Sequence, residues 1–239
     1  MWRFARPVAV KGWGRAVIEL QNVAMSYGGR ELLSEMTLRL MPGSFHFLTG
    51  PSGAGKTTFL KLCYAELSPS SGMLSLFDRD VRMMTRDDVA AMRQRIGVVH
   101  QDCQFLDHLS VAENIALPLS VSRRAADPKE LRELLSWVGL RAQADALPPQ
   151  LSGGERQRAA LARAVMMSPD IILADEPTGN LDWEMSQRLL NLLIELNRMG
   201  KTVLIATHDL NLIRTAKSQV ATRVLRIANQ RLQLAGADL

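Results

Sequence analysis

Hydrophobic and polar positions alternate, cluster and spread out in turn along this chain, and each change of period predicts an element. Val17-Ile18-Glu19-Leu20-Gln21-Asn22-Val23 alternates like a half-buried strand. Tyr27-Gly28-Gly29-Arg30 reads as a turn, and Leu38-Arg39-Leu40 leads through Pro42-Gly43 into the apolar strand Phe47-Leu48-Thr49. Helical spacing opens at Lys56 and continues to Leu67, where Ser68-Pro69-Ser70-Ser71-Gly72 ends it. Gly72 to Asp78 predicts a short strand and turn. Arg86 to Arg95 predicts a helix with its acids early and its arginines late, the order a helix dipole favours. Ile96-Gly97-Val98-Val99-His100 reads as a buried strand.

Strand character then disappears. Val111 to Ser120, Pro128 to Leu140 and Gly154 to Met167 all have helical spacing, punctuated by Pro118 and by Pro148-Pro149. Strands return at Asp170 to Ala174, Thr202 to Thr207, Thr222-Leu225 and Arg231-Leu234, with helices at Trp183 to Arg198 and Leu210 to Lys217. The pattern predicts an α/β fold with a mixed, mainly parallel core sheet. An N-terminal antiparallel β subdomain precedes that sheet, and a helical subdomain at about 103–168 is inserted in it, all within one domain spanning 17–239.

Composition changes this picture little. The chain is 47% hydrophobic and 22% charged, ordinary for a soluble globular protein. No apolar run approaches the roughly 18–20 residues that cross a bilayer, so a membrane role has to come through a partner. Cys63 and Cys103 lie far apart without metal-type spacing, as expected of reduced thiols in a cytoplasmic protein. Charge adds one feature. Residues 1–16 carry Arg3, Arg6, Lys11 and Arg15 with no acid, so four of the five excess positive charges sit there, beside Trp2, Phe4 and Trp13. This leader predicts a flexible extension, with contact to an anionic membrane surface as the alternative. The remaining body is near neutral, and direct nucleic-acid binding is not expected.

The chemistry is concentrated at Gly50-Pro51-Ser52-Gly53-Ala54-Gly55-Lys56-Thr57-Thr58, which follows a strand and opens a helix. Gly50, Gly55, Lys56 and Thr57 fit the phosphate-loop pattern, which arises by chance in roughly one chain of this size in a hundred. A loop poor in side chains lets several backbone N–H groups point at phosphate oxygens, and the helix start adds more. Lys56 supplies a mobile charge for the β- and γ-phosphates, and the Thr57 hydroxyl a place around Mg²⁺. ATP with Mg²⁺ is the expected ligand.

Other constellations refine that expectation. Ile171-Ile172-Leu173-Ala174-Asp175-Glu176 is a hydrophobic strand ending in two carboxylates. An isolated pair of this kind is ordinarily a solvated cap. A strand running next to the phosphate loop would instead bring Asp175 to Mg²⁺ and Glu176 to an attacking water as general base. Leu151-Ser152-Gly153-Gly154-Glu155-Arg156-Gln157 opens a long helix and forms a second anion-binding nest. One phosphate loop already serves one triphosphate, so the second nest fits a nucleotide held by another subunit. His208 and Gln101 each follow a core strand, where open α/β sheets meet ligands. His208 is placed for the γ-phosphate, Gln101 for Mg²⁺ or the attacking water. Gly179-Asn180-Leu181-Asp182 reads as a turn and cap, with Asp182 available for contacts between subunits. Tyr27 has two readings, a ring stacking on adenine or a buried turn tyrosine.

Phosphate loop, Gln101, the 151–157 run, Asp175-Glu176, the 179–182 turn and His208 occur in the order that resembles ATP-binding-cassette ATPases, over about residues 17–228. The resemblance implies hydrolysis of ATP to ADP and phosphate, and a head-to-tail homodimer with two ATPs sandwiched between subunits. It implies adenine stacking by Tyr27, base catalysis by Glu176 and a γ-phosphate contact from His208. It also implies contact of Ser152-Gly153-Gly154 with the partner's ATP, and coupling through Gln101 to a membrane protein. More narrowly, the runs Phe45 to Thr57, Gln101 to Leu119 and Ala174 to Asp182 are similar to the FtsE-type cell-division branch of that family. That similarity implies a polytopic, FtsX-like membrane partner, a peripheral place on the cytoplasmic face of the bacterial inner membrane, and control of cell-wall hydrolases. Branches with similar runs serve lipoprotein release, macrolide export or solute transport, which are the alternative readings. Cassette ATPases that act on nucleic acid usually carry two cassettes, and this chain has one.

Overall fold

Two sheets and their covering helices account for residues 16–234, the part of the chain that the computed structural model describes. Of the basic leader assigned to residues 1–16, only Ala16 falls within that range, and it is buried. β1 (Ile18–Tyr27) and β2 (Arg30–Leu40) form a long antiparallel hairpin closed by Gly28 and Gly29. β3 (Phe45–Thr49) leads into α1 (Lys56–Cys63), and β4 (Ser71–Leu76) and β5 (Arg79–Asp80) follow. The first sheet is antiparallel, in the order β2-β1-β4-β5. Asn22 and Glu35 sit at φ 48° and 49°, where the β1–β2 register shifts, Asn22 between the Leu20–Leu38 and Val23–Met36 pairs and Glu35 between the Val23–Met36 and Met25–Leu33 pairs. Alternation is broken at those bulges, which is why the sequence marks the turn and the outer ends of this hairpin but not the strand residues next to the turn.

α1 is shorter than its periodicity suggests. It ends at Cys63, because Ala65 adopts φ 55° and the Glu66 and Leu67 amides both turn back onto the Lys61 carbonyl.

After α2 (Arg86–Arg93) and β6 (Ile96–Val99) come three helices with no strand between them: α3 (Val111–Val121), α4 (Pro128–Trp137) and α5 (Gly153–Val165). The chain then returns through β7 (Ile171–Asp175), α6 (Trp183–Arg198), β8 (Thr202–Ala206), α7 (Leu210–Lys217), β9 (Thr222–Ala228) and β10 (Arg231–Leu234). The second sheet runs β10-β9-β3-β8-β7-β6, parallel except for β10. All five residues of β3, β7 and β8 are buried, so these strands are mostly apolar rather than alternating. Their residues still divide by face. Phe47, Ile172 and Val203 join a cluster with α3, α5, α6 and α7, while Leu48, Leu173 and Leu204 pack with α1 and the antiparallel sheet.

The expectation that the Ile171 strand runs next to the phosphate-loop strand is corrected. β8 lies between β3 and β7, and α1 bridges the gap by packing across both β7 and β8.

Candidate active site

The loop after β3 floors a cleft of about 640 Å³, within the roughly 300–1,000 Å³ typical of small-molecule sites. Gly50 to Gly53, Gly55 to Thr58, Gln101, Asp175, Glu176 and His208 line it, together with Leu32. Leu32 carried no sequence signal, because its strand is legible only at the far end. Two of the loop's glycines are dictated by space and dihedral. A Cβ on Gly55, at φ 98°, would stand 2.8 Å from Leu33 Cδ2, and one on Gly50 would stand 2.8 Å from the Ile227 carbonyl oxygen. α1 has no acid in its first turn, which leaves its N-terminal amides and dipole free for an anion. Ala54 packs against the hydrophobic core rather than lining the cleft. Tyr27 lies outside the lining and is 47% exposed, so its ring is not the buried turn tyrosine of the alternative reading.

Charged groups converge over the loop. Lys56 Nζ donates to the Gly50 carbonyl at 3.0 Å and to that of Pro51 at 3.4 Å, and lies 3.6 Å from Glu176 Oε1. The Thr57 hydroxyl donates to Asp175 Oδ2 at 2.7 Å, the contact made possible by α1 reaching under β8. Burial holds the Asp175 carboxyl above its ordinary range, opposed by the hydrogen bond from Thr57 and reinforced by the Glu176 charge. Glu176 is buried, with φ 43°, and its amide donates to the Ala206 carbonyl at 2.8 Å. This left-handed conformation of a non-glycine residue turns the carboxylate back over the cleft, strain of a kind that clusters at functional sites. His208 Nδ1 stands 3.0 Å from both oxygens of that carboxylate.

The donor set suits Mg²⁺. The Thr57 hydroxyl and the Asp175 carboxylate supply hard oxygens side by side, and Gln101 lines the same cleft. Among the described residues no group of three or more His, Cys, Asp or Glu forms a metal cage. Mg²⁺ ordinarily takes one or two protein oxygens and fills the rest of its shell with phosphate and water, which this donor set would suit.

The 151–157 run is divided by burial. Ser152 caps α5: its hydroxyl accepts from the Glu155 amide at 3.3 Å and donates to Glu155 Oε2 at 2.7 Å, and its own amide donates to the same carboxylate oxygen at 2.8 Å. These bonds lower the Glu155 carboxyl from its ordinary value. Ser152 and Gly153 are exposed, whereas Leu151, Gly154 and Gln157 are buried. The expectation that all seven residues face a second nucleotide narrows accordingly. Ser152 and Gly153 present the surface, and the buried residues hold it in place.

Side chains of α5 also fix the Gln101 loop, a link the sequence does not reveal. Gln157 Nε2 donates to the Gln101 carbonyl at 3.1 Å, Arg156 Nη2 to that of Cys103 at 3.0 Å, and Arg163 Nη1 to that of Gln104 at 2.6 Å. Both guanidinium groups lie over the Phe105 ring, at 5.4 and 4.7 Å from its centroid. Cys103, with its thiol pushed up to about 11 by burial, is an inert part of this loop. Asp182 caps α6 by accepting from the Met185 amide at 2.8 Å, and is exposed.

A phosphate loop at the end of a parallel strand, paired carboxylates reached across an intervening strand, and a capped glycine nest on an inserted helical lobe together define a phosphate-loop ATPase of the cassette kind. Comparison with known proteins agrees. The model of the ABC transporter family matches residues 33–179. The chain belongs to that family and is one of its ATPases.

Among its relatives, the cell division ATP-binding protein FtsE of Haemophilus influenzae is 43% identical over 201 residues, covering 82% of this chain and 92% of the relative. FtsE of Escherichia coli K12 is 43% identical over 200 residues, and that of Bacillus subtilis 39% over 207, covering 82% and 85% of this chain and 90% and 91% of those relatives. Among solved structures, the dimeric structure of a bacterial ABC transporter cassette superposes with a TM-score of 0.81 at 34% identity, covering 90% of this chain and 96% of that one. A dimeric post-hydrolysis cassette bound to ADP and Pi gives 0.80 at 32% identity with the same coverage.

Proposed function

We propose that this chain is the ATPase subunit of a membrane complex of the cell-division type, and that it works as a homodimer with two ATPs held between the copies. In this reading each triphosphate lies on the 50–58 loop of one copy and against Ser152 and Gly153 of the other. Tyr27 stacks on the adenine, and Asp182 faces the second copy. Lys56 neutralises the outer phosphates. Thr57, Asp175 and Gln101 would hold Mg²⁺, which when bound offsets the charge of the β- and γ-oxygens. Glu176 orients a water and takes its proton as the water oxygen attacks the γ-phosphorus, with ADP leaving. His208 holds the Glu176 carboxylate and reaches the γ-phosphate.

The observation that carries this reading is the convergence of Lys56, Thr57, Asp175, Glu176 and His208 in one cleft, 3.6 Å or less between bonded members. Support for the cell-division assignment is the 43% identity to FtsE proteins over 82% of the chain. Among the described residues no helix is long and apolar enough to cross a membrane. In this reading the work is delivered to a polytopic, FtsX-like protein from the cytoplasmic face of the inner membrane, with cell-wall hydrolases as the controlled enzymes. An open cleft of about 570 Å³ next to the Gln101 loop, in which Val98, Leu117, Val121 and Met167 meet the polar residues Arg93, His100 and Arg163, supports such a partner contact.

The test of the shared pocket is a mixing experiment. Lys56→Ala and Ser152→Arg copies are each expected to be inactive, and their verified hybrid is expected to regain one working pocket and part of the turnover. No recovery in a confirmed hybrid defeats the reading. Co-purification from membranes of a polytopic protein, without ATP-dependent solute movement, tests the cell-division assignment against transport.

A further inference from the structure

Two large apolar side chains stand exposed beside the Glu176–His208 end of the cleft, and the chemistry just described does not use them. Trp183, 49% exposed, is the first residue of α6, and Leu210, 42% exposed, is the first residue of α7. Each helix is capped by the aspartate that precedes it, Asp182 for α6 and Asp209 for α7, which fixes where both side chains emerge. Both rim a second cleft of about 400 Å³ whose floor includes Glu176, Thr178 and His208. That cleft shares Glu176 and His208 with the nucleotide cleft. Through Leu181 it also adjoins a smaller cleft of about 270 Å³ that reaches Gly153. The phosphate loop, the two rim residues and the exposed end of α5 therefore occupy one continuous face.

We propose that Trp183, assisted by Leu210, is the apolar anchor by which a second copy of this chain docks on that face. The inference rests on the shared-pocket reading and adds the residues that supply its affinity. The rest of the face is polar: phosphate-binding amides, Lys56, His208, Asp182 and the Glu176 carboxylate. Such groups select a triphosphate and set register, but they exchange one set of hydrogen bonds for another when two copies meet. Tryptophan is enriched among the few residues that dominate interface energy, and the exposed half of Trp183 is apolar surface that a second copy can cover. Placed on the rim beside Glu176, the indole also closes the catalytic carboxylate off from bulk water when the second copy seats. Docking and chemistry are then linked through one side chain that touches neither nucleotide nor metal.

The test uses the full chain carrying Glu176→Gln, with ATP and Mg²⁺, followed by sedimentation velocity. The parent is expected to dimerise. Adding Trp183→Ala is expected to weaken dimerisation by about tenfold or more, Trp183→Phe by much less, and Trp183→Ala with Leu210→Ala by more than either. Calorimetric affinity of the monomer for ATP is expected to stay within about twofold, because neither residue lines the nucleotide cleft. A parent that dimerises as well with the double replacement as without it overturns the anchor and leaves the shared pocket standing. A parent that stays monomeric overturns the shared pocket, and the anchor falls with it.

Discussion

His208 Nδ1 is equidistant, at 3.0 Å, from the two carboxylate oxygens of Glu176. The Glu176 side chain is 11% exposed and that of His208 74%, so the imidazole is the solvent-side cover of a buried carboxylate. Glutamine at 176 keeps the shape and still accepts from the ring, but cannot take a proton from water. Glu176→Gln is therefore expected to lower turnover by about 10²–10⁴-fold while leaving ATP affinity within a few-fold. Phosphate release assayed beside calorimetric ATP binding checks this. Hydrolysis within threefold of the parent removes Glu176 from the role of base.

The 2.7 Å bond between the Thr57 hydroxyl and Asp175 leads to a prediction about the metal. Asparagine at 175 still accepts that bond but removes the charge that attracts the cation, directly or through a coordinated water. Asp175→Asn is expected to raise the Mg²⁺ concentration for half-maximal hydrolysis by about 10–100-fold. Nucleotide binding in EDTA is expected to be unchanged. An unaltered Mg²⁺ titration excludes Asp175 from holding the ion.

What was legible in the sequence was the chemistry that dictates residue type over a short run. Gly50 to Thr58, Ser152-Gly153 and Asp175-Glu176 can each be read because phosphate, dipole and proton transfer tolerate few substitutes at those places. The helical lobe was legible for a different reason, since strand alternation is absent for over sixty residues between β6 and β7. Strand order was not. Nothing in β3, β7 or β8 tells which is the neighbour of which, because all three are buried throughout and mostly apolar, and α1 crosses beneath two of them. The left-handed turn at Glu176 was also hidden, as were the three bonds from α5 to the Gln101 loop, which join segments more than fifty residues apart.

Asn114 is another residue whose role only the folded chain reveals. It is fully buried, and its side chain is satisfied by backbone: Oδ1 accepts from the Leu106 amide at 2.9 Å, and Nδ2 shares its two hydrogens among the carbonyls of Leu106, Leu109 and Ser110, each at 3.0 Å. Those bonds knit the 106–110 turn to α3 just beyond the Gln101 loop. Asn114→Ala leaves buried polar groups unpaired and is expected to cost about 2–4 kcal/mol. Urea unfolding without nucleotide measures it, and a loss below about 1 kcal/mol shows that water replaces the side chain.

His46 sets a pH dependence on the fold itself. Its ring is 2% exposed within β3, with Nε2 2.9 Å from the Ser44 hydroxyl oxygen. That hydroxyl already donates to the Met41 carbonyl at 2.6 Å, so it accepts from the ring, and the proton resides on Nε2. Nδ1 is buried without a partner, and it is the atom that would have to be protonated. Burial, with the Arg223 charge adding to it, lowers the imidazole from 6.5 to about 4. Above pH 6.5 neither folded nor unfolded chain carries a proton there, and the group is silent. Between pH 6.5 and 4 the unfolded chain takes up a proton that the folded one refuses, so stability falls as pH falls, by about 3 kcal/mol in full and about 2 kcal/mol by pH 5. His46→Gln keeps a donor for Ser44 and cannot titrate. The difference in unfolding free energy between parent and His46→Gln is expected to shift by about 2 kcal/mol in favour of the variant between pH 7.5 and pH 5. Urea titrations at the two values measure it, and a difference that does not move with pH shows that the buried ring is not what acid attacks.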